Sequence, residues 1–440
     1  MKPYFQVNLG TIYCGDARNM SEVPNECVQM VCTSPPYWGL RKYEGDQELI
    51  WGDKDCEHEW QMKEGKYLNM VNAGEANRPW QEQASGKLPD SGFCSLCNAW
   101  KGAFGLEPTP ELYVQHTIEI LREVRRVLRK DGVCFWNIGD SYGSSGGFDK
   151  QDWNRGIGGK SMHLGRAKSQ GILKPKDLCL IPFRIAIAAQ QDGWWVRSVI
   201  IWNKPNPMPE SVTDRPTNSY EFILMLTKSK KYYWDADAVR ESYQPSSLER
   251  IKYPLTGSKQ GDKSWAVNNE NWADRFSSIG RNLRDVWTFP TQPYPEAHFA
   301  VFPEKLPELC IKAATSEKGC CPKCGAPWAR VTKRESYDTE GWAPAKKDPH
   351  KELYGSQSFN RVEGKNVCGK VKVETLGWRP TCNCGLEPVP CVVMDNFCGT
   401  GTTLWEAKKL GRRGIGYDIS KAYCQLAVER NRQMVMEYKG

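Results

Sequence analysis

Residues 391–420 constrain the fold more than any other stretch of this chain. Cys391 to Met394 (CVVM) is an apolar run of strand length, and a glycine-containing turn follows it. Thr402 to Leu410 then has helical character, and Arg413 to Tyr417 reads as a second strand. Two strands joined through a helix form the repeating unit of a parallel sheet, so an α/β fold is expected.

The turn itself suggests a ligand. Gly399 and Gly401 let the backbone pass close to a bound group, and Asp418 ends the second strand 23 residues after Asp395. A carboxylate at that place accepts hydrogen bonds from ribose hydroxyls. The dinucleotide fingerprint needs a third glycine where this chain has Leu404, so a pyrophosphate is not supported. Asp395, just ahead of the turn, suits a cofactor that carries an ammonium and a sulfonium. A tight connection without any ligand is the alternative reading.

Further units of the same kind lie upstream. Cys27 to Thr33 (CVQMVCT) reads as a buried strand stopped by Ser34-Pro35-Pro36-Tyr37. Thr109 is placed to cap a helix with Pro110 at its first position, and Ile118, Leu121, Val124 and Leu128 recur at helical spacing until Asp131-Gly132. Gly132 to Ile138 is the next strand. Helix Leu180–Gln191 and strands Trp195–Trp202, Tyr220–Thr227 and Lys231–Trp234 are expected to continue the layer. Polar stretches at 51–105, 139–176, 241–282 and 319–390 interrupt this pattern.

Ser34-Pro35-Pro36-Tyr37 carries a second chemistry. Two prolines fix φ and remove two N–H donors, holding a backbone carbonyl rigidly beside the Ser34 hydroxyl. Two acceptors aimed at one point suit an exocyclic amino group, which offers two N–H donors. Accepting both favours a pyramidal nitrogen, whose lone pair is then free to attack an electrophilic methyl group. Tyr37 supplies a flat face for an extruded base. A Pro-Pro turn that merely ends a strand is the bland alternative.

Taken together, Ser34 to Tyr37 and the Asp395–Thr403 loop (DNFCGTGTT) resemble the catalytic and cofactor motifs of the amino-methyltransferase family of DNA modification enzymes. The catalytic motif precedes the cofactor loop, which is similar to the circularly permuted β class. Gly15-Asp16-Ala17, His298–Leu306 and Asp418 fit further segments. The resemblance implies a Rossmann-like α/β fold dependent on S-adenosyl-L-methionine. It further implies that Ser34, Pro35, Pro36 and Tyr37 position the target amine. Asp16, Pro303, Asp395, Phe397, Cys398, Gly399, Thr400, Gly401, Thr402 and Asp418 would hold the cofactor. No cysteine nucleophile is required, so Cys32 and Cys398 are read as packing residues. Asp140 is read as a turn residue. In the family His298–Leu306 runs straight into the cofactor loop, whereas here residues 319–390 intervene.

The resulting division places the N-terminal part of the core, with the catalytic tetrapeptide, at 1–50 and an insert at 51–105. The core continues over 106–240, with a target-recognition region at 241–296. The cofactor-flanking segment spans 297–318, a second insert 319–390 and the cofactor-binding unit 391–440. The implied reaction is methylation of cytosine N4 in double-stranded DNA. Serine at 34, where many adenine enzymes of the family carry an acidic or amide residue, favours cytosine. Adenine N6 is the alternative, and an inactive, zinc-containing nucleic-acid-binding protein is a third reading. A restriction endonuclease acting on the same site is a possible counterpart, with no direct contact implied.

Eighteen cysteines need a separate explanation. Cys94-x-x-Cys97 and Cys321-x-x-Cys324 are similar knuckles, with Cys56-x-His58 upstream of the first and Cys382-x-Cys384 downstream of the second. Four N/S ligands on two knuckles is the pattern of a structural tetrahedral zinc, so two small Zn²⁺-binding inserts are expected. Cys320, Cys368 and Cys391 compete as ligands of the second set.

Composition agrees without deciding anything. A net charge of +8 over 440 residues permits a polyanionic partner but does not require one. No apolar run reaches membrane-spanning length and the N-terminus lacks a secretory signal, so no membrane partner and a cytoplasmic location are expected.

Overall fold

The computed structural model describes residues 2–7, 9–39, 47–66, 85–143, 173–243, 246, 280–292, 301–336 and 371–432. The chain divides into two compact units: 1–232, 286–308 and 392–440 form one, and 233–285 with 309–391 form the other.

The first unit is built on a nine-stranded mixed sheet. In chain order its strands are β1 (Phe5–Val7), β2 (Gly10–Cys14), β3 (Val28–Thr33), β8 (Leu128–Ile138), β9 (Trp195–Asn203), β10 (Tyr220–Thr227), β11 (Val286–Thr288), β14 (Val392–Asp395) and β15 (Arg413–Asp418). Their order across the sheet is β1-β2-β15-β14-β3-β8-β10-β9-β11. The five strands from β2 to β8 run parallel to their neighbours. On the far side β10 is antiparallel to both β8 and β9. All six residues of β3 are buried, as a central strand covered on both faces requires. β14 lies beside β3, so the turn after Asp395 and the Ser34–Tyr37 tetrapeptide leave the same end of the parallel strands, although Thr33 and Asp395 are 362 positions apart.

Helix α1 (Pro110–Val127) starts as expected: the Thr109 side chain accepts from the Leu112 amide, and Tyr113, Ile120, Leu121, Val124 and Val127 are buried. It ends earlier than Asp131-Gly132, because Leu128 already pairs with Val28 of β3 and opens β8. Tertiary pairing here overrides the local stop signal. Helix α2 (Ile181–Gln191) has no side-chain cap of its own; the Asp140 carboxylate, from the turn after β8, accepts from the Ile181 amide at 3.1 Å. Lys231–Trp234 forms no strand, since the β10–β9 pair already joins Tyr220–Thr227 to Trp195–Asn203.

The polar stretch after residue 47 also has an architecture that its irregular periodicity concealed. Strands β4 (Glu48–Trp51), β5 (Trp60–Lys66), β6 (Ser85–Cys94) and β7 (Trp100–Ala103) make a four-stranded sheet in the order β4-β7-β6-β5. Cys56 and His58 lie ahead of β5, and Cys94 and Cys97 bound the turn between β6 and β7.

The division between units falls within α3 (Lys305–Ala314). The described part of the second unit has a two-stranded antiparallel sheet of β12 (Trp328–Ser336) and β13 (Val371–Pro380). Cys321 and Cys324 precede β12, and Cys382 and Cys384 follow β13, so strand pairing draws the two knuckles together. Most of the expected target-recognition region, 241–296, lies outside the described residues, as do Cys368 and residues 298–300 of His298–Leu306.

Candidate active site

A cavity of about 820 Å³ opens at the ends of the parallel strands in the first unit. Its wall includes Asp16, Ser34, Pro35, Pro36 and Tyr37 from the N-terminal segments, and Phe397, Cys398, Gly399, Thr400, Thr402 and Asp418 from the C-terminal ones. A crevice at the C-terminal ends of strands is where open α/β sheets place their ligands.

The C-terminal turn is held by its own carboxylate. Asp418 Oδ2 accepts from the Gly399 amide and Oδ1 from the Ser420 amide, both at 2.9 Å. Burial pushes the Asp418 carboxyl up to about 6. Gly401 caps helix α4 (Thr402–Lys409) at φ +77°, and a Cβ there would stand 2.6 Å from Asn431 Nδ2. Only glycine meets both demands. Phe397 stacks on Phe104 at 5.7 Å and meets Trp136 edge-on, which gives the cavity a firm apolar side.

Three residues expected around a cofactor take other places. Asp395 is wholly buried beneath the turn, where Oδ1 accepts from Thr33 Oγ1 at 2.6 Å and from the Phe397 amide at 3.1 Å. Pro303 is buried, and its carbonyl accepts from the Leu306 amide at the start of α3. Gly401 is turned toward Ala427 and Asn431. None of the three lies on the cavity wall. Asp16 does, with its carboxylate held by Arg18 at 2.6 Å while the Arg18 guanidinium lies 4.1 Å over the Trp51 ring.

These surroundings fit S-adenosyl-L-methionine. Asp418 stands at the end of the second strand as a ribose-binding carboxylate should. Both polar atoms of the Asn396 side chain are buried at the cavity without a partner, as expected of groups that await a polar ligand. When bound, this cofactor supplies an electrophilic methyl group.

The Ser34–Tyr37 tetrapeptide sits on a built floor. The Pro36 carbonyl accepts from the Tyr113 hydroxyl at 2.8 Å, and the Trp38 indole donates to the Glu107 carbonyl at 2.9 Å. Gly139 leaves room for the Tyr37 ring: a Cβ there would meet two ring carbons at 2.7 and 2.8 Å. Sequence reasoning missed three neighbours. Asn137 Nδ2 donates to Tyr37 Oη at 2.7 Å, to Glu221 Oε2 at 3.0 Å and to Ser34 Oγ at 3.3 Å. Glu221 also pairs with Lys204. An amide in the buried run CFWNI and a carboxylate opening the apolar strand YEFILMLT are the signals that would have found two of them. Asp140 is absent from the cavity wall and serves the start of α2.

Two metal-type clusters also appear among the described residues. One donor atom from each of Cys56, His58, Cys94 and Cys97 lies within 4.8 Å of the others, and Cys321, Cys324, Cys382 and Cys384 form a similar set. Cys97 Sγ is 3.5 Å from His58 Nδ1, and Cys384 Sγ is 3.7 Å from Cys324 Sγ. A tetrahedral zinc with Zn–S of ~2.3 Å and Zn–N of ~2.0 Å separates two sulfurs by about 3.8 Å and a sulfur from a nitrogen by about 3.5 Å, so both spacings fit. Cys320 and Cys391 bond instead to the carbonyls of Pro390 and Ser316.

A glycine turn of cofactor type and the Ser34–Tyr37 tetrapeptide share one cavity on this sheet, the arrangement of a methyltransferase with the S-adenosyl-L-methionine-dependent fold. More particularly, the chain belongs to the DNA methylase family of N6/N4 enzymes, whose sequence model matches residues 28–321 and 391–429. It is 33% identical over 311 residues to type II methyltransferase M.SmaI of Serratia marcescens, covering 70% of this chain and 76% of that protein. Type II methyltransferase M.Cfr9I of Citrobacter freundii is also 33% identical over 311 residues, covering 70% and 74%. Among solved structures, PvuII DNA methyltransferase (cytosine-N4-specific) aligns over 100% of this chain and 91% of its own, with 13% identity and a TM-score of 0.47.

Proposed function

We propose that this chain is a site-specific DNA methyltransferase that transfers the methyl group of S-adenosyl-L-methionine to N4 of cytosine in double-stranded DNA. The observation that carries the reading is the Ser34 hydroxyl, which lies on the same cavity wall as Asp418 and Phe397 and receives a hydrogen bond from Asn137. Ser34 Oγ and the Pro35 carbonyl are the two acceptors for the amine, while the Pro36 carbonyl accepts from the Tyr113 hydroxyl. Holding both N–H bonds draws the nitrogen lone pair out of the ring and toward the methyl group. The Tyr37 ring provides the stacking face for a base turned out of the duplex. A serine rather than an acid or amide at 34 favours cytosine over adenine.

Residues 241–296 and the two inserts are the proposed readers of the target sequence. Structural zinc at each four-ligand cluster is part of the same proposal, because the donor atoms of each set lie within 4.8 Å of one another. The type II names of its relatives suggest a restriction endonuclease of the same specificity as counterpart. No described helix is long and apolar enough to cross a membrane, and we place the enzyme with its DNA in the cytoplasm.

The test is mass spectrometry of nucleosides digested from DNA treated with the protein and methyl-labelled cofactor. Labelled N4-methylcytosine is the expected product. N6-methyladenine would overturn the base assignment while keeping the chemistry, and label in neither would overturn the function.

A further inference from the structure

Methylation of an exocyclic amine leaves the nitrogen with one proton too many, and the family assignment does not say where that proton goes in this chain. The hydrogen bonds around Ser34 give a direction. Tyr37 Oη donates to Glu221 Oε2 at 2.7 Å, which commits the only phenolic proton to the carboxylate. Asn137 Nδ2 donates toward both Tyr37 Oη and Ser34 Oγ. At the 3.2 Å contact between Ser34 Oγ and Tyr37 Oη, Ser34 must therefore be the donor. That leaves one lone pair of Ser34 Oγ to accept from the amine.

We propose that Ser34, Tyr37 and Glu221 form a proton relay that carries the surplus proton away from the methylated amine. The proposal rests on the amine-methylation reading above and holds for either base. As the nitrogen lone pair forms the N–CH₃ bond, one N–H bond breaks and its electrons return to nitrogen. That proton passes to Ser34 Oγ, the Ser34 proton to Tyr37 Oη, and the Tyr37 proton to Glu221 Oε2. The product is a neutral carboxylic acid that later releases the proton to solvent. No other reagent is needed.

Glu221 touches no reacting atom; it is a positioning residue that sets the polarity of the chain and accepts what the chain delivers. Lys204 pairs with its other oxygen and lies 4.5 Å from the Trp202 ring, and the Glu221 and Lys204 side chains are only 17% and 18% exposed. This pairing fixes the carboxylate with Oε2 turned to Tyr37. The relay joins the segment after β3, which carries Ser34 and Tyr37, to Glu221 at the start of β10, and Asn137 near the end of β8 donates to all three.

The experiment compares wild type with Glu221→Gln, Tyr37→Phe and the double variant. It measures single-turnover methyl transfer to plasmid DNA that the wild-type protein labels, over a range of DNA concentrations. Glu221→Gln retains an acceptor for Tyr37 but cannot take up the proton, and Tyr37→Phe keeps the stacking ring but cuts the relay. Each is expected to lower the saturating rate about 100-fold, the usual scale of positioned proton transfer, with half-saturating DNA concentration and cofactor affinity unchanged. The double variant should be no slower than the slower single. A wild-type rate in either single variant, losses that multiply, or a loss of affinity in place of rate would overturn the relay. Should Glu221→Gln fail to fold, Tyr37→Phe decides alone by the same readings. Failure of the wild type to label any DNA base would instead overturn the amine-methylation reading.

Discussion

Thr33 and Asp395 stand 362 residues apart in sequence, yet the Thr33 hydroxyl donates to the Asp395 carboxylate at 2.6 Å. Thr33 is the last residue of β3 and Asp395 the last of β14, so this bond ties the start of the catalytic tetrapeptide to the start of the cofactor turn. Both residues are fully buried. The bond fixes the relative position of the Ser34–Tyr37 tetrapeptide and the Gly399 turn, and the Phe397 amide, donating to the same oxygen, extends the tie into that turn.

Thr33→Val keeps the shape of the side chain and removes the donor. It should cost about 1–3 kcal/mol of stability, because a buried charged acceptor loses a partner, and it should weaken cofactor binding as the turn loosens. Thermal denaturation and calorimetric titration with S-adenosyl-L-methionine check both effects. Unchanged values in both would mean the tie is idle.

Burial pushes the Asp395 carboxyl up to about 6, against an ordinary aspartate value of about 4. The folded state thus binds this proton more tightly than the unfolded chain does. Its contribution to stability is complete below about pH 4 and is lost as pH rises through about 6. Ligand-free wild type should therefore lose stability relative to Asp395→Asn between pH 4 and 7. A constant difference in melting temperature across that window would contradict the shift.

Gly139→Ala places a methyl group against the Tyr37 ring at distances no real contact shows. The ring must move, while the cofactor turn is untouched. Methyl transfer should fall by at least 10-fold with cofactor affinity near normal, since small misplacements near the reacting centre cost up to ~10²-fold. Rate and affinity measured on one preparation separate the two. Full activity would show that Tyr37 can shift without consequence.

Ser34→Ala removes one of the two acceptors proposed for the amine. Loss of a single pre-placed hydrogen-bonding group typically costs ~10²–10³ in rate, and a fall of that order is expected without change in cofactor affinity. Turnover at the wild-type level would remove Ser34 from the mechanism.

Metal analysis of purified protein should find about two zinc per chain, one for each tetrahedral set. Cys384→Ser and Cys94→Ser should each lower the content by about one, and chelation should destabilise the protein. Protein that keeps its metal in both variants would refute the ligand sets.

Much of this was legible in the sequence, for reasons that differ by element. β10 and the start of α1 were readable because apolar period, Thr109 and Pro110 act locally. Ser34 to Tyr37, Asp395 to Thr402 and the cysteine knuckles were readable because the chemistry demands particular residue types at short spacing. The four strands between Glu48 and Ala103 were not, since small antiparallel strands in polar sequence carry no clear alternation. Sequence alone thus determined which residue types meet at the cavity and in the two cysteine clusters. Tertiary structure alone decided that Asp395 braces the turn from beneath while Asp418 faces the cavity, and that Asn137 and Glu221 join Ser34 and Tyr37. The reason is physical: hydrogen bonds between β3, β8, β10 and β14 depend on strand order and register across a sheet, and pairings between residues hundreds of positions apart leave no local periodicity to read.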